Sequence, residues 1–307
     1  MRGRFMTSIP PFSRYRDIIP DFAGFLDALH RPLPTHLRIN RLKARPSALA
    51  ADLAAQGVLL EPSHPKDDAL YAAPGLDHPG NLMAYYQGLL HPQALTSCLA
   101  GPALGPEPGA FVLDMCASPG GKTAHLAECM ENRGLILAND LHSGRHPALA
   151  HNLSRLGVLN AVITGYQGQQ IPLRHRFEYV LADVPCSGEG RQRLVNGRES
   201  ERGPRAERFP ELQRRILMRG FDLLDRGGVL VYATCTYNPE ENEAVVNHLL
   251  QERDAEILPL NSGVSFSPGI TAWGTESYDA HMDRTARFYP HEVDSVGFFM
   301  ARIGRSG

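Results

Sequence analysis

Three short stretches of this 307-residue chain carry residues whose types and spacing suit chemistry. ATCTYNPEENE (233–243) sets Cys235 between two threonines where strand-like sequence gives way to helical sequence. ADVPCSGEG (182–190) closes another strand-like run with Asp183 and Cys186, and its Gly188 and Gly190 fit a flexible loop. LDMCASPGGKT (113–123) joins a third such run to a helix through Pro119, Gly120 and Gly121, followed by Lys122. An ionised thiol is a strong nucleophile, and a neighbouring acid or base can orient its substrate. A lone cysteine at a strand end is ordinarily core. Two cysteines at adjoining strand ends of one ligand-binding edge reverse that preference.

The elements that must position them follow from periodicity. Strands are expected at 111–115, 134–140, 161–164, 177–184, 229–236 and 297–303, and helices at 122–130, 148–157, near 210–225 and at 239–253. Asn238 reads as the N-cap of the last helix, Pro239 as its first residue and Glu241 as its capping-box partner. The alternation predicts the α/β class, with a parallel or mostly parallel sheet carrying helices on both faces. Ligands of such sheets sit at the carboxyl edge, at the switch point flanked here by the first and fourth strands. Asp183, Cys186 and Cys235 therefore converge on one cleft.

Residues 1–105 differ in pattern. THLRINRL (35–42) and VLLEPS (58–63) are strand-like around a helical LAADLAAQG, and a helix is expected in HPQALTSCLA, which makes a small α+β region. GPALGPEPG (101–109) reads as the linker to a domain over 106–307, and 261–295 as a long irregular connection. The five cysteines (98, 116, 129, 186, 235) form no CxxC pair and the 13 histidines no zinc-ligand spacing, which argues against a disulfide framework or a metal. Cys98 and Cys129 read as inert core. No apolar run reaches the roughly 20 residues of a membrane span and no signal peptide is evident, so a cytoplasmic monomer is the expectation. Net charge is −2, but residues 1–46 hold nine Arg/Lys against three acids and residues 191–215 eight Arg against four Glu. Either patch suits phosphate, or is simply a solvated face.

The cofactor edge admits two ligands. GGKT resembles the end of a phosphate loop, but Cys116 occupies the place of its first glycine and Pro119 removes an N–H that a phosphate needs. S-adenosylmethionine fits better: it has a carboxylate, a ribose and an adenine and no phosphate. Gly120 and Gly121 allow close backbone approach, and Asp140, about 20 residues on, can accept from the ribose hydroxyls.

DMCASPGGKT, ADVPCSGEG and ATCTYNPEENE together resemble the Nop/Sun family of RNA cytosine-5 methyltransferases. LRINRLK (37–43) is similar to that family's N-terminal motif and RFYPHEVDSVGFFMARI (287–303) to its closing segment, so the resemblance covers nearly the whole chain in order. It implies a Rossmann-like class I methyltransferase sheet after an RNA-binding N-terminal region, S-adenosyl-L-methionine as cofactor, and RNA as partner. The resemblance assigns the nucleophile to Cys235 and product release to Cys186, with Asp183 and Lys122 in the catalytic site. DNA cytosine methyltransferases attack from a PC cysteine, so position alone leaves the order of the two thiols open. Cofactor contacts are expected along Cys116, Ala117, Ser118, Pro119, Gly120, Gly121 and Lys122, and from Asp140, Arg145, Gln167 and Asp183.

One departure stands out: GYQGQQ (165–170) puts Gln167 where the family usually carries an aspartate near the adenine. An amide still offers a donor and an acceptor there. The rival reading is an RNA-binding ribosome-assembly factor with weak or no catalysis; methylation of DNA or protein fits the N-terminal region poorly. The sequence stops soon after the last strand, which leads to the expectation of a compact member, acting on ribosomal RNA before transfer RNA. Trp273, Tyr278 and His281 either stack on RNA or pack.

Overall fold

The structure, a computed structural model, describes residues 12–194 and 208–305. Arg2 and Arg4 of the first basic patch, and Arg198, Arg202 and Arg205 of the second, lie outside the described residues.

The N-terminal region builds a four-stranded antiparallel sheet from β1 (His36–Ile39), β2 (Glu61–Pro62), β3 (Leu70–Ala72) and β4 (Leu90–Pro92), in the order β2-β3-β1-β4. Helix Pro46–Ala55 packs Leu49 and Leu53 against Leu37 and Ile39 of β1. Of the basic residues counted here, Arg38 is fully buried, pairs with Glu128 and donates to the Gly121 carbonyl at 3.2 Å. Arg41 pairs with Asp67 and Asp68, and Arg14 with Glu189. These three side chains are engaged within the fold, while Arg16, Arg31, Lys43 and Arg45 remain exposed.

Five parallel strands follow: β5 (Phe111–Asp114), β6 (Leu135–Asn139), β7 (Ala161–Thr164), β8 (Phe177–Asp183) and β9 (Leu224–Thr234). β10 (Ala255–Ile257), β11 (Ser267–Pro268), a hairpin of β12 (Ala272–Trp273) with β13 (Glu276–Ser277), β14 (Ala286–Phe288) and β15 (Phe298–Arg305) complete the chain. The large sheet runs β11-β14-β15-β9-β8-β5-β6-β7, with β15 antiparallel to β9 and β10 on β15. After β7 the chain crosses β5 to enter β8, so the switch point lies between β5 and β8, as the alternation predicts.

Strand periodicity sorts the two cores. Leu113, Val180, Leu230 and Tyr232 face helices Phe209–Asp222 and Glu243–Glu252. Val112, Leu181, Val231 and Ala233 face helix Gly121–Cys129 and the helical turns before β5. Those turns correct one expectation. Ala100–Leu104 is helical, with Leu104 buried in this core, so the stretch read as a linker is packed structure.

Two further corrections concern the carboxyl half. The last helix begins at Glu243 rather than Pro239: the Glu241 carboxylate accepts from Ser187 N at 2.9 Å, Gln213 Nε2 at 3.0 Å and Asn238 Nδ2 at 3.3 Å, and the Asn238 N–H that a capping box needs goes to Thr236 Oγ1 instead. The 261–295 connection contains β11 to β14. Within it Tyr278 is buried and the Trp273 ring lies 5.9 Å from that of Tyr15, which settles both as packing, while His281 is exposed beside Asp279.

The Arg287–Glu243 ion pair ties β14 to the last helix: Nε donates at 2.6 Å, with side-chain exposures of 2% and 0%. Arg287 also donates to the Tyr237 carbonyl at 3.0 Å, two residues past Cys235. Removing one partner of such a pair strands the other's charge. Arg287→Met should therefore cost about 3–5 kcal/mol of stability in urea unfolding, and Glu243→Gln/Arg287→Met distinctly less.

Candidate active site

The end of β8 delivers Asp183 and Cys186, and the end of β9 delivers Cys235, as neighbours. Parallel pairing sets Asp183 opposite Ala233, two residues before Cys235. Beyond the strands the turns are stapled. The Thr234 hydroxyl donates to Asn242 Oδ1 at 2.6 Å, Asn242 Nδ2 donates to the Thr236 carbonyl at 3.0 Å, and the Tyr232 hydroxyl donates to the Glu241 carbonyl at 2.6 Å. Gly190 N donates to the Cys235 carbonyl at 2.9 Å, and a Cβ there would meet the Gly297 oxygen at 2.1 Å. Gly190 is thus a tight crossing, while Gly188, at φ 73°, has open space around it.

These constraints leave the Cys186 and Cys235 Sγ atoms 3.2 Å apart, and both cysteines are free thiols. The hydrogen bond from Cys186 pulls the Cys235 thiol below its usual range, against the opposing effects of burial and of Asp183; Arg191 and Lys122 add to the lowering. Cys186 is driven well above its usual range by that same bond and by burial, although its Sγ also accepts from Cys235 N at 3.4 Å, which opposes the rise. Ionisation is thus favoured at Cys235 over Cys186.

Lys122 Nζ donates to Asp183 Oδ2 at 2.7 Å. Burial disfavours the lysine's charge, but Asp183 more than offsets it and raises the Lys122 pKa. Both residues line a cavity of about 340 Å³ together with Cys235, Asp114 and Cys116. Asp114 was not anticipated as a site residue. Its position closing the strand before the glycine turn was the available signal. It is buried, takes a 2.7 Å hydrogen bond from the Thr123 hydroxyl, and has its other oxygen without a partner. Burial pushes its carboxyl up to about 7, with the Thr123 bond opposing. His91, Arg191 and Phe298 also line this cavity, and no sequence signal marked them. Burial pushes the Cys116 thiol up, so it is inert.

A second cavity, of about 450 Å³, adjoins at Cys116 and Arg145 and is lined by Asp140, Leu141, Gly168, Leu212 and Ile216. Asp140 Oδ2 accepts from Ser118 N at 3.2 Å and lies 3.5 Å from the Arg145 guanidinium, which donates to the Ser118 carbonyl at 2.7 Å. Ala117, Ser118, Pro119 and Gly121 line the first cavity. Gly120 turns the backbone at φ 105°, where a side chain would be strained. Gln167 is exposed and accepts from Gln169 Nε2 at 2.9 Å; Gly168 and Gln169, rather than Gln167, line the second cavity.

A family model for the 16S rRNA methyltransferase RsmB/F matches residues 102–304. The chain belongs to that family. It is 35% identical over 304 residues to the 26S rRNA (cytosine-C(5))-methyltransferase nsun-1 of Caenorhabditis elegans, covering 94% of this chain and 45% of that protein. Against the tRNA (cytosine(49)-C(5))-methyltransferase of Pyrococcus abyssi it is 34% identical over 288 residues, covering 93% and 92%. A solved methyltransferase homolog protein from Pyrococcus horikoshii superposes with a TM-score of 0.83 at 32% identity, covering 95% and 93%. The chain spans less than half the length of its metazoan relatives. No helix among the described residues is long and apolar enough to cross a membrane.

In this RsmB/F-type cleft the opposite shifts of the two thiols have a solution signature. Thiolate, not thiol, reacts with iodoacetamide, and its fraction rises with pH through the pKa. Alkylation of Cys235 should inflect below the ordinary thiol value of about 8.5. Cys186→Ala removes the hydrogen-bond donor and should move that inflection upward, as read by peptide mass spectrometry across pH.

Proposed function

We propose that the protein transfers a methyl group from S-adenosylmethionine to carbon 5 of a cytosine in structured RNA, through a covalent bond between Cys235 and the base. The observation that carries this reading is the 3.2 Å thiol pair, of which Cys235 lines the cavity of Lys122 and Asp183. The residues present fit the cofactor. Asp140, the residue after β6, is an acceptor suited to a ribose diol, beside an apolar pocket of Leu141, Leu212 and Ile216 that suits a flat base. Bound there, S-adenosylmethionine supplies an electrophilic methyl group.

Carbon 5 of cytosine is a weak nucleophile. The Cys235 thiolate adds to carbon 6 and pushes the ring's double-bond electrons to carbon 5, which takes the methyl. The methyl's bond to the sulfonium sulfur breaks as its bond to carbon 5 forms, which leaves a neutral thioether. Water in the cleft then takes the carbon-5 proton, the ring double bond is restored and the carbon–sulfur bond to Cys235 breaks, returning its electron pair to the thiolate. Cys186, within hydrogen-bond reach of the departing sulfur, aids this release. Asp183, fixed by Lys122, accepts from the exocyclic amine of the base. The family description and nsun-1 support ribosomal RNA as the substrate, and the Pyrococcus abyssi relative supports transfer RNA. Ribosomal RNA is the class we expect.

In cells grown with 5-azacytidine, which blocks the final proton removal, the tagged protein should be covalently attached to RNA under denaturing purification. Cys186→Ala should retain the RNA and Cys235→Ala should lose it, and sequencing the RNA names the substrate. Retention by Cys235→Ala with loss in Cys186→Ala would reverse the roles. Absence of RNA from every version would favour an RNA-binding assembly factor.

A further inference from the structure

The first cavity is closed on one side by the N-terminal sheet. β4 ends in His91 and Pro92, and His91, only 9% exposed, lines the cavity beside Gly121. Its Nδ1 lies 3.1 Å from the Arg155 guanidinium. A guanidinium can only donate, so Nδ1 accepts and the ring proton sits on Nε2. No described protein group accepts from that Nε2, which lies 2.8 Å from where a Cβ on Gly121 would stand.

Three further observations set the sign of what it would bind. Arg155 otherwise donates to the carbonyls of Tyr85 and Leu90 and stacks on the Tyr85 ring, and no carboxylate pairs with it among the described residues. Its charge therefore polarises the imidazole toward the cavity. Gly121 opens a nine-residue helix whose first intrahelical bond is made by Ala124, so the preceding N–H groups face the same space without helical partners. Gln93, the neighbouring polar side chain, is committed to Arg38 and to the Ser97 carbonyl, both at 3.3 Å. Burial, with Arg38 and Arg155 nearby, pushes His91 down to about 3, so it remains a neutral donor at working pH.

We infer that His91 donates from Nε2 to the carboxylate of S-adenosylmethionine, making the N-terminal sheet a part of the cofactor site. A neutral donor backed by an unpaired guanidinium, opposite a helix N-terminus, suits a carboxylate held without a full countercharge. The inference rests on the cofactor proposed above.

Calorimetric titration separates the two. S-adenosylhomocysteine carries the carboxylate, and 5′-methylthioadenosine has the same adenosine without it. His91→Phe should weaken S-adenosylhomocysteine by about ten- to a hundredfold, the effect of losing one hydrogen bond to a charged group, and leave methylthioadenosine unchanged. His91→Gln, which keeps a donor, should recover part of the loss. Equal weakening of both ligands would mean a structural role, and unchanged S-adenosylhomocysteine affinity would mean no contact; either overturns the inference. Weaker RNA binding with cofactor affinity intact would overturn it in favour of an RNA phosphate. Failure of the wild type to bind either ligand would instead sink the cofactor reading itself.

Discussion

Two sulfur atoms from different strand ends, held 3.2 Å apart, impose a requirement on everything around them. A hydrogen bond between two sulfurs at that distance tolerates little drift, because it weakens steeply with distance and angle. The turns after β8 and β9 must therefore keep a fixed relation although neither is regular structure. The parallel register of Asp183 with Ala233 sets the approach. Asn242 and Glu241 then satisfy the polar groups of both turns, and the buried Arg287–Glu243 pair anchors the helix that they precede. Ladder, turns and ion pair are one chain of support ending at the sulfurs.

The same arrangement sets the two thiols apart in their readiness to ionise. Desolvation alone would raise the pKa of Cys235, as it does for Cys98 and Cys116. The Cys186 donor and the nearby Lys122 and Arg191 charges reverse that direction at one cysteine only. Lys122 would be an expensive buried charge were it not paired with Asp183. The pair also fixes a carboxylate at the cavity wall that Cys235 lines.

Much of this was legible in the sequence, for a physical reason. Strand alternation places a residue at a sheet edge with little ambiguity, so Asp183, Cys186 and Cys235 could be assigned to one edge before any contact was known. Asp140 and the Pro119–Gly121 turn followed from the same geometry. What escaped depends on distant partners. Glu241 has the spacing of a capping residue, but Ser187 and Gln213 compete for its carboxylate and delay the helix to Glu243. β14 is only three residues long and exists through pairing with β15, which no local pattern announces. His91 reaches the cleft only because β4 crosses to Gly121, and Gln167 turns to Gln169 instead of the cavity.

The central claim is that Cys235 carries the reactive thiolate while Cys186 holds the proton. It is tested most directly on the unaltered protein, by trapping it with S-adenosylmethionine and an RNA containing 5-fluorocytidine, whose carbon-5 fluorine prevents release. Nuclease and protease digestion followed by mass spectrometry then identifies the peptide bearing the methylated nucleotide. The account predicts the nucleotide on Cys235 with Cys186 free and alkylatable. A nucleotide on Cys186 would contradict it.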